Sequence, residues 1–341
     1  MISGCDFPQT LEISFHYKDS CKKSIRNTRL ESILQDADVV WNHRTVSAEP
    51  HPEISKYDRP VITDSSRIFF NGMLSLLDQD AFMVNPLNAK NRFGNKIQQL
   101  RTALQCGFNI PETLISNNYQ EIAEFVQRVR KVVVKPINFM KWDLGERSVN
   151  LLTTPLTAEK FMEFSSVAYS ACPMIYQEQI EKKYEYRIVV FGEEIVSYRI
   201  DSQQKAGSQV DWRAISHHDL PVRHCILPAE IESLIRKFMH STGFVTGSFD
   251  LAEMEDGRFI FFECNESGQF LWLEQLAPEI PLLDMFSSFL LERRRDFRYD
   301  SRPDPLRFQD WYKDAKIHME ASRKNHVPSN LDMRYKEFET V

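Results

Sequence analysis

A chain of 341 residues, 42% hydrophobic and 26% charged, is long enough for two or three packed units and too apolar to be disordered or fibrous. Its net charge of −6 at pH 7 argues against a nucleic-acid binder that works by neutralising phosphates, although a local basic groove remains compatible. No basic segment followed by an apolar one opens the chain, and no run of about 18 apolar residues follows, so neither a signal peptide nor a membrane span is expected.

To about residue 85 the sequence alternates strand-like runs, LEISF (11–15), DADVVW (36–41) and PVIT (60–63), with helical ones. It holds no GxGxxG dinucleotide fingerprint. A second unit opens at Asn85-Pro86. There NKIQQLRTALQCG sets Ile97, Leu100 and Leu104 at helical spacing, with Gly107 as a stop. A strand (ETLIS), a helix near 120–130, the β-branched run KVVVKP and a helix around TAEKFMEF come next. A third unit begins near Pro173 with a strand (MIYQEQI) and a hairpin (EYRIVVFGEEIVSYRID). A helix over 228–242 follows, with Ile231, Leu234, Ile235, Phe238 and Met239 on one stripe and Gly243 at its end. A second hairpin, TGSFDLAEMEDGRFIFFECN, completes the unit.

The expected division is therefore 1–85, 86–172, 173–295 and a polar, partly helical tail over 296–341. The fold class is α/β, built as α+β lobes over a central cleft. The tail carries no motif, and self-association as a homo-oligomer is one option for it. The six cysteines, spread from Cys5 to Cys264 without CxxC spacing, read as reduced, buried thiols of a cytoplasmic protein. Zinc is not expected, since the histidines form no HExxH or Cys/His ladder.

The second hairpin carries the chemistry. Asp256-Gly257 is a two-residue turn signal, because both positions tolerate positive φ. With those residues as the loop, Asp250 stands opposite Glu263 and Asn265 lies two residues along on the same face. Phe249, Leu251, Ile260, Phe262 and Cys264 form the other, core-facing side. Opposed side chains have Cβ atoms roughly 4.5–5.5 Å apart, so two carboxylates repel unless a cation joins them. An open oxygen set completed by phosphates is how Mg²⁺ is usually held. The competing reading is an exposed polar face with one acid paired to a lysine.

This D-x12-E-x-N hairpin resembles the metal-binding end of ATP-grasp enzymes, and upstream segments match in order. The resemblance implies an ATP-grasp fold with an N-terminal pre-ATP-grasp domain over 1–85, binding ATP and Mg²⁺. By the same resemblance, Lys96 and Lys135 contact nucleotide phosphates. Gln177, Glu178, Gln179 and Ile180 lie in the hinge that reads adenine, and Glu185 holds the ribose. Arg187 and Arg199 take the catalytic positions near the transferred phosphoryl, with Asp250, Glu263 and Asn265 as metal ligands. If the FGEEI loop has three residues, the two arginines are directly opposed and share an anion.

RIVVFGEEIVSYRIDSQ, DWR (Asp211 to Arg213) and the early ADVVWNHR are similar to segments of graspetide synthetases, which make microviridin-type peptides with ω-ester and ω-amide crosslinks. This implies a precursor peptide with a leader segment as partner, neither nucleic acid nor membrane, and Arg213 as a guide for an acidic peptide. The phosphate-covering loop departs from the family: INFMKWDLGERSV (137–149) has Gly145 alone where many members are glycine-rich, leaving Lys141 or Arg147 as substitutes.

The implied reaction moves the γ-phosphoryl of ATP to a carboxylate, and a Ser or Thr hydroxyl or a Lys amine then attacks the acylphosphate. An amino-acid or peptide ligase of the glutamate-ligase type is the alternative, and a non-catalytic nucleotide-binding module a third. Taken singly, Lys135 reads as a strand-end lysine and Lys96 as a helix-start lysine opposed to the dipole. Their order and spacing carry the reading.

Overall fold

In the computed structural model of the chain, residues 6–29, 32–34, 37–43, 50–51, 53–137, 141–143, 148–150, 153–204, 209–210, 212 and 220–327 are described, with the backbone alone at 32–34, 141–143 and 148–150. The chain gathers into two compact units, residues 1–87 with 307–341, and residues 88–306. The division expected from the sequence separates 86–172 from 173–295, which cluster here as one unit, and sets apart a tail over 296–341, of which 307–341 cluster with the first unit.

In the first unit β1 (Leu11–Tyr17), β2 (Cys21–Asn27) and β3 (Ser32–Leu34) form an antiparallel sheet, and β4 (Val39–Trp41) pairs in parallel with β5 (Phe82–Val84). Between β4 and β5 runs the long helix α1 (Arg59–Asp80). PVIT, expected as strand, is the first turn of that helix. Its proline supports this, because at a helix start the missing N–H has no partner to lose and the fixed φ already suits the helix. Met73, Leu74 and Leu77 of α1 close over Phe7, Leu11 and Ile25. The helix Phe308–Arg323 has no buried residue. Beyond it, Asp6 accepts the Val327 N–H at 2.8 Å and meets His326 Nδ1 at 2.6 Å.

The second unit opens with α2 (Leu87–Phe93) and α3 (Lys96–Cys106). After β6 (Thr113–Ser116) and α4 (Tyr119–Val129) come the strands β7 (Val132–Pro136), β8 (Lys141–Asp143), β9 (Ser148–Asn150) and β10 (Thr154–Leu156). The helices α5 (Ala158–Met162) and α6 (Ser166–Ser170) lead to β11 (Met174–Glu178). One antiparallel sheet has the order β10-β7-β11-β6. Its apolar side, with Val132 and Tyr176, packs on Ile122, Phe125 and Val126 of α4.

A second, five-stranded antiparallel sheet is built from β12 (Lys182–Phe191), β13 (Glu194–Ile200), β14 (Val222–Cys225), β15 (Thr246–Met254) and β16 (Phe259–Asn265), in the order β14-β13-β12-β15-β16. On one face Ile188, Val190, Phe249, Leu251 and Phe261 meet Ile235 and Phe238 of α7 (Ala229–Thr242) and Leu100 and Ala103 of α3. Phe191 turns the other way, onto Phe270, Phe286 and Phe289 around α8 (Leu282–Glu292).

Several expectations for local structure need correction. Ile97 and Leu104 of α3 are exposed; the buried positions are Gln99, Leu100, Thr102 and Ala103. Of the described cysteines Cys264 alone is buried, Cys106 and Cys225 are half-buried, and Cys21 and Cys172 are exposed. Among the described residues, no helix is long and apolar enough to cross a membrane.

Candidate functional site

The hairpin β15–β16 does bring Asp250 opposite Glu263, with Asn265 across from Ser248. It does so by a different route from the expected one. The turn holds three residues, Glu255 to Gly257, closed by Met254 N–H to the Arg258 carbonyl at 2.9 Å, and Gly257 takes φ +83°. That loop would slip the register by one residue, and a bulge restores it: Leu251 pairs with Phe261 but Asp250 with Glu263. Phe262 is the extra residue, so it leaves the core face, where the buried position passes to Phe261. A bulge re-aims side chains in this manner. Here it puts two successive residues, Phe262 and Glu263, into one cleft.

The cleft is walled by the four- and five-stranded sheets of the second unit and by α3. Val133, Ile175, Leu100 and Phe262 give it apolar sides. Lys96 and Lys135 reach in from α3 and the end of β7. Asn95 caps α3 by accepting the Gln98 N–H at 3.0 Å, which starts the helix at Lys96. Lys96 Nζ lies 3.1 Å from Glu263 Oε2, so the pairing of one acid with a lysine and the convergence of two acids both occur. Lys135 Nζ donates to Gln177 Oε1 at 2.6 Å and stands 5.1 Å from the Phe262 ring centroid. Gln177 in turn donates to Thr113 Oγ1 at 2.9 Å, so its buried amide fixes the lysine head.

Glu178, Gln179 and Ile180 line the same cleft where β11 ends. The N–H groups of Glu178 and Gln179 are used by the carbonyls of Glu112 and Lys131, at 2.8 and 2.9 Å. Glu185 is buried beside Lys182 Nζ (2.8 Å) and Ser202 Oγ (2.7 Å). Burial pushes its carboxyl above the usual range, against the opposing pull of Lys182 and Ser202.

Arg187 is 6% exposed and lies beneath Asp250, donating from Nη1 to Oδ1 at 2.8 Å and from Nη2 to the Gln269 carbonyl at 3.3 Å. A Cβ on Gly268 would fall 2.7 Å from Arg187 Nη2 and 2.7 Å from Ser248 Oγ, so the glycine makes room for this fork. The expected opposition of Arg187 and Arg199 does not form. The loop between β12 and β13 has two residues, Gly192 and Glu193, so Arg187 pairs with Tyr198 and Arg199 with Tyr186. Adjacent positions face opposite sides of a sheet. Arg199 accordingly lies over the Tyr184 ring at 3.8 Å and binds Asp201 at 2.9 Å, away from Arg187.

Asn265 is exposed at the strand end, where its Oδ1 accepts the Ser267 N–H at 3.0 Å. Arg213 and Arg147 lie outside the described residues, as do residues 138–140 and 144–147 of the phosphate loop and the side chain of Lys141. Trp212, between them in DWR, is described: it lines the cleft and stacks on Trp272 at 5.2 Å.

Sequence reasoning passed over Lys182, Gln99 and Gly268, set Phe262 on the core face and read Trp212 only as part of DWR. Lys182 at i−3 from Glu185 was the one pair with a readable signal. Among the described residues no group of three or more His, Cys, Asp or Glu side chains could hold a metal alone. Two carboxylates and a nearby amide nevertheless fit Mg²⁺, which takes one or two carboxylates and completes its shell with phosphate and water. Their charges are balanced here by Arg187 and Lys96.

Over residues 99–228 the chain matches the family model for the ATP-grasp domain of prokaryotic glutathione synthetase. Among solved structures it is similar to a Chryseobacterium gregarium RiPP-associated ATP-grasp ligase in complex with ADP and a leader and core peptide, with TM-score 0.77 and 25% identity over 88% of this chain and 90% of that one. It is similar also to the macrocyclase MdnC of Microcystis aeruginosa MRC bound with the precursor peptide MdnA, with TM-score 0.75 and 26% identity over 86% and 91%. The macrocyclase MdnB of the same organism shares the fold, with TM-score 0.69 and 24% identity over 85% and 89%. No curated protein sequence matches the chain.

Proposed function

We propose that this chain, an ATP-grasp ligase of the graspetide-synthetase type, closes macrocycles in a ribosomally made precursor peptide. It activates Asp or Glu side-chain carboxylates of that peptide as acylphosphates, which Ser or Thr hydroxyls or Lys amines attack to give ester or amide crosslinks. The single observation that supports it most is the cleft of the second unit. It sets the opposed acids Asp250 and Glu263, two lysines and the end of β11 around one space. The likeness over most of the chain to a peptide-bound ATP-grasp ligase and a peptide-bound macrocyclase supports the peptide substrate.

In this reading adenine lies between the apolar walls. Since the N–H groups of Glu178 and Gln179 are committed elsewhere, the hydrogen-bonding edge falls to Ile180 and the carbonyls at the end of β11. Glu185 accepts from the ribose hydroxyls. Lys96 and Lys135 offset the triphosphate charge, and Gln177 orients Lys135. Asp250, Glu263 and Asn265 would hold Mg²⁺, which would supply neutralisation of the charge that develops on the phosphates. Arg187 sits against Asp250 with its planar fork fixed, so it supports that acid and offers donors without reorganising. Arg199, facing the other side of its sheet, serves the folded state. We assign the enzyme to the cytoplasm, with a leader-bearing peptide and no nucleic acid or membrane as partner.

The test is mass spectrometry of a precursor peptide encoded beside this chain's gene, incubated with enzyme, ATP and Mg²⁺. Loss of one water per ring, absent with Asp250→Ala, is the expected result. A gain of amino-acid residue masses would instead establish the glutamate-ligase type of reaction. An unchanged peptide with no ADP formed would overturn both.

A further inference from the structure

The side chain of Gln99 is buried at 3% exposure, in a helix face where a nonpolar residue would ordinarily sit. Both N–H donors and the oxygen of its amide are engaged. Oε1 accepts the Cys264 N–H at 3.0 Å, while Nε2 donates to the Cys264 carbonyl at 2.7 Å and to the Phe93 carbonyl at 3.0 Å. β16 is the outer strand of its sheet, so Cys264 has no neighbouring strand on that side. The paired bonds from Gln99 are those a neighbouring strand would supply, and they satisfy both backbone groups.

The place of this splint matters more than its strength. Cys264 stands between Glu263 and Asn265, two of the residues we assign to the metal. Gln99 is one turn along α3 from Lys96, whose ammonium meets Glu263 at 3.1 Å. One amide therefore ties the helix that carries a phosphate lysine to the strand that carries the metal oxygens. We infer that Gln99 is a positioning residue for the metal–phosphate site: it fixes the spacing between Lys96 and the Glu263–Asn265 segment, and through it the affinity for Mg²⁺ in the nucleotide complex. This rests on the proposed ATP-dependent function.

Gln99→Leu keeps the volume and removes all three bonds; Gln99→Glu keeps the shape but sets a carboxylate against two carbonyls. A third variant, Ile235→Val, trims a buried residue of α7 in the same core and controls for lost stability. The measurements are ATP hydrolysis against Mg²⁺ concentration, and calorimetric titration of ADP at fixed Mg²⁺. Both glutamine variants are expected to raise the Mg²⁺ concentration for half-maximal rate about tenfold, the scale on which groups behind metal ligands act. They should do so at temperatures where the enzyme is fully folded, and Ile235→Val should leave that concentration unchanged.

If Gln99→Leu lowers only the melting temperature and keeps the wild-type Mg²⁺ curve, the amide is a structural tie and the inference is wrong. If the wild-type enzyme itself takes up no nucleotide, the proposed function fails and the inference with it. If all three variants shift the Mg²⁺ curve alike, general loosening of the core is the cause and Gln99 has no special place.

Discussion

Replacing Asp250 by alanine removes a carboxylate whose partner cannot follow it into water. Arg187 retains 8% side-chain exposure, Asp250 15%, and Nη1 and Oδ1 are 2.8 Å apart. Truncating one member of such a pair leaves a charge buried and unpaired, which costs about 3–5 kcal/mol. The Gln269 carbonyl remains as the acceptor for Nη2, and at 3.3 Å it offsets little of that. In a unit the size of residues 88–306, this corresponds to a fall in melting temperature of roughly 6–20 °C. Asp250→Asn keeps an oxygen for Nη1 and should cost less, about 1–3 kcal/mol. Both variants should nonetheless lose Mg²⁺-dependent ADP formation, because the amide cannot neutralise a divalent ion. Urea titration at pH 7 gives the stabilities, and a coupled ADP assay gives the activity. Asp250→Ala within about 1 kcal/mol of wild type would refute the reasoning from burial. An Asp250→Asn variant with full activity would refute the metal assignment.

Gly268→Ala should displace the Arg187 fork and lower kcat by about tenfold or more, whereas Gly257→Ala, with open space at its turn, should cost about 1 kcal/mol of stability and no activity; steady-state kinetics and melting curves of the pair separate the two effects. Arg199→Ala should lose the Asp201 and Tyr184 contacts and with them stability, yet keep a kcat well above that of Arg187→Ala; equal losses would return Arg199 to the site. Asp284 is buried, and although burial pushes its carboxyl up, Arg302, the Leu306 N–H and Tyr299 outweigh that and hold it below the usual range. Its contribution is therefore complete above about pH 4 and disappears as pH falls through the lowered value; the stability gap between wild type and Asp284→Asn, about 2–3 kcal/mol at pH 7, should narrow only in strong acid when followed by urea titration. ATP and Mg²⁺ should bind cooperatively, with a coupling of about 1–3 kcal/mol; calorimetry showing each ligand indifferent to the other would contradict the exchange of ion pairs argued below.

Most elements of the second unit were legible in the sequence because their signals are local. The α7 stripe and the positive-φ glycine after it, the β-branched run of β7 and the turn residues of both hairpins act within a few positions. The opposition of Asp250 and Glu263 was legible too, but through two departures that cancel: a three-residue turn in place of two, and a bulge at Phe262. The opposition of Arg187 and Arg199 had no second departure to correct it, and a one-residue difference in loop length sent them to opposite faces. Gln99 and Gly268 were hidden for another reason. Their roles depend on backbone atoms of Cys264 and on the Arg187 head group, both distant in the chain, and no periodicity encodes such meetings. PVIT was misread because β-branched residues favour strands on average, while a proline at a helix start outweighs that preference here.

The acids of the site are each matched by a cation: Glu263 by Lys96, Asp250 by Arg187, Glu185 by Lys182. Without these partners, two carboxylates on opposed strands would repel in a cleft that water reaches only in part. The pairs differ in what they can release. Lys96 and Glu263 keep side-chain exposures of 28% and 19%, against 8% and 15% for Arg187 and Asp250, so the first pair opens at smaller cost. A triphosphate entering alone would draw Lys96 away from Glu263, and a divalent ion entering alone would leave Lys96 facing a second cation. Entering together, they exchange one ion pair for two: ammonium with phosphate, carboxylate with metal. Charge stays balanced at every atom, and Arg187 holds Asp250 in place throughout. On this account the lysine at the start of α3, which runs against the preference of the helix dipole, sits there because it stands in for the metal when no nucleotide is bound.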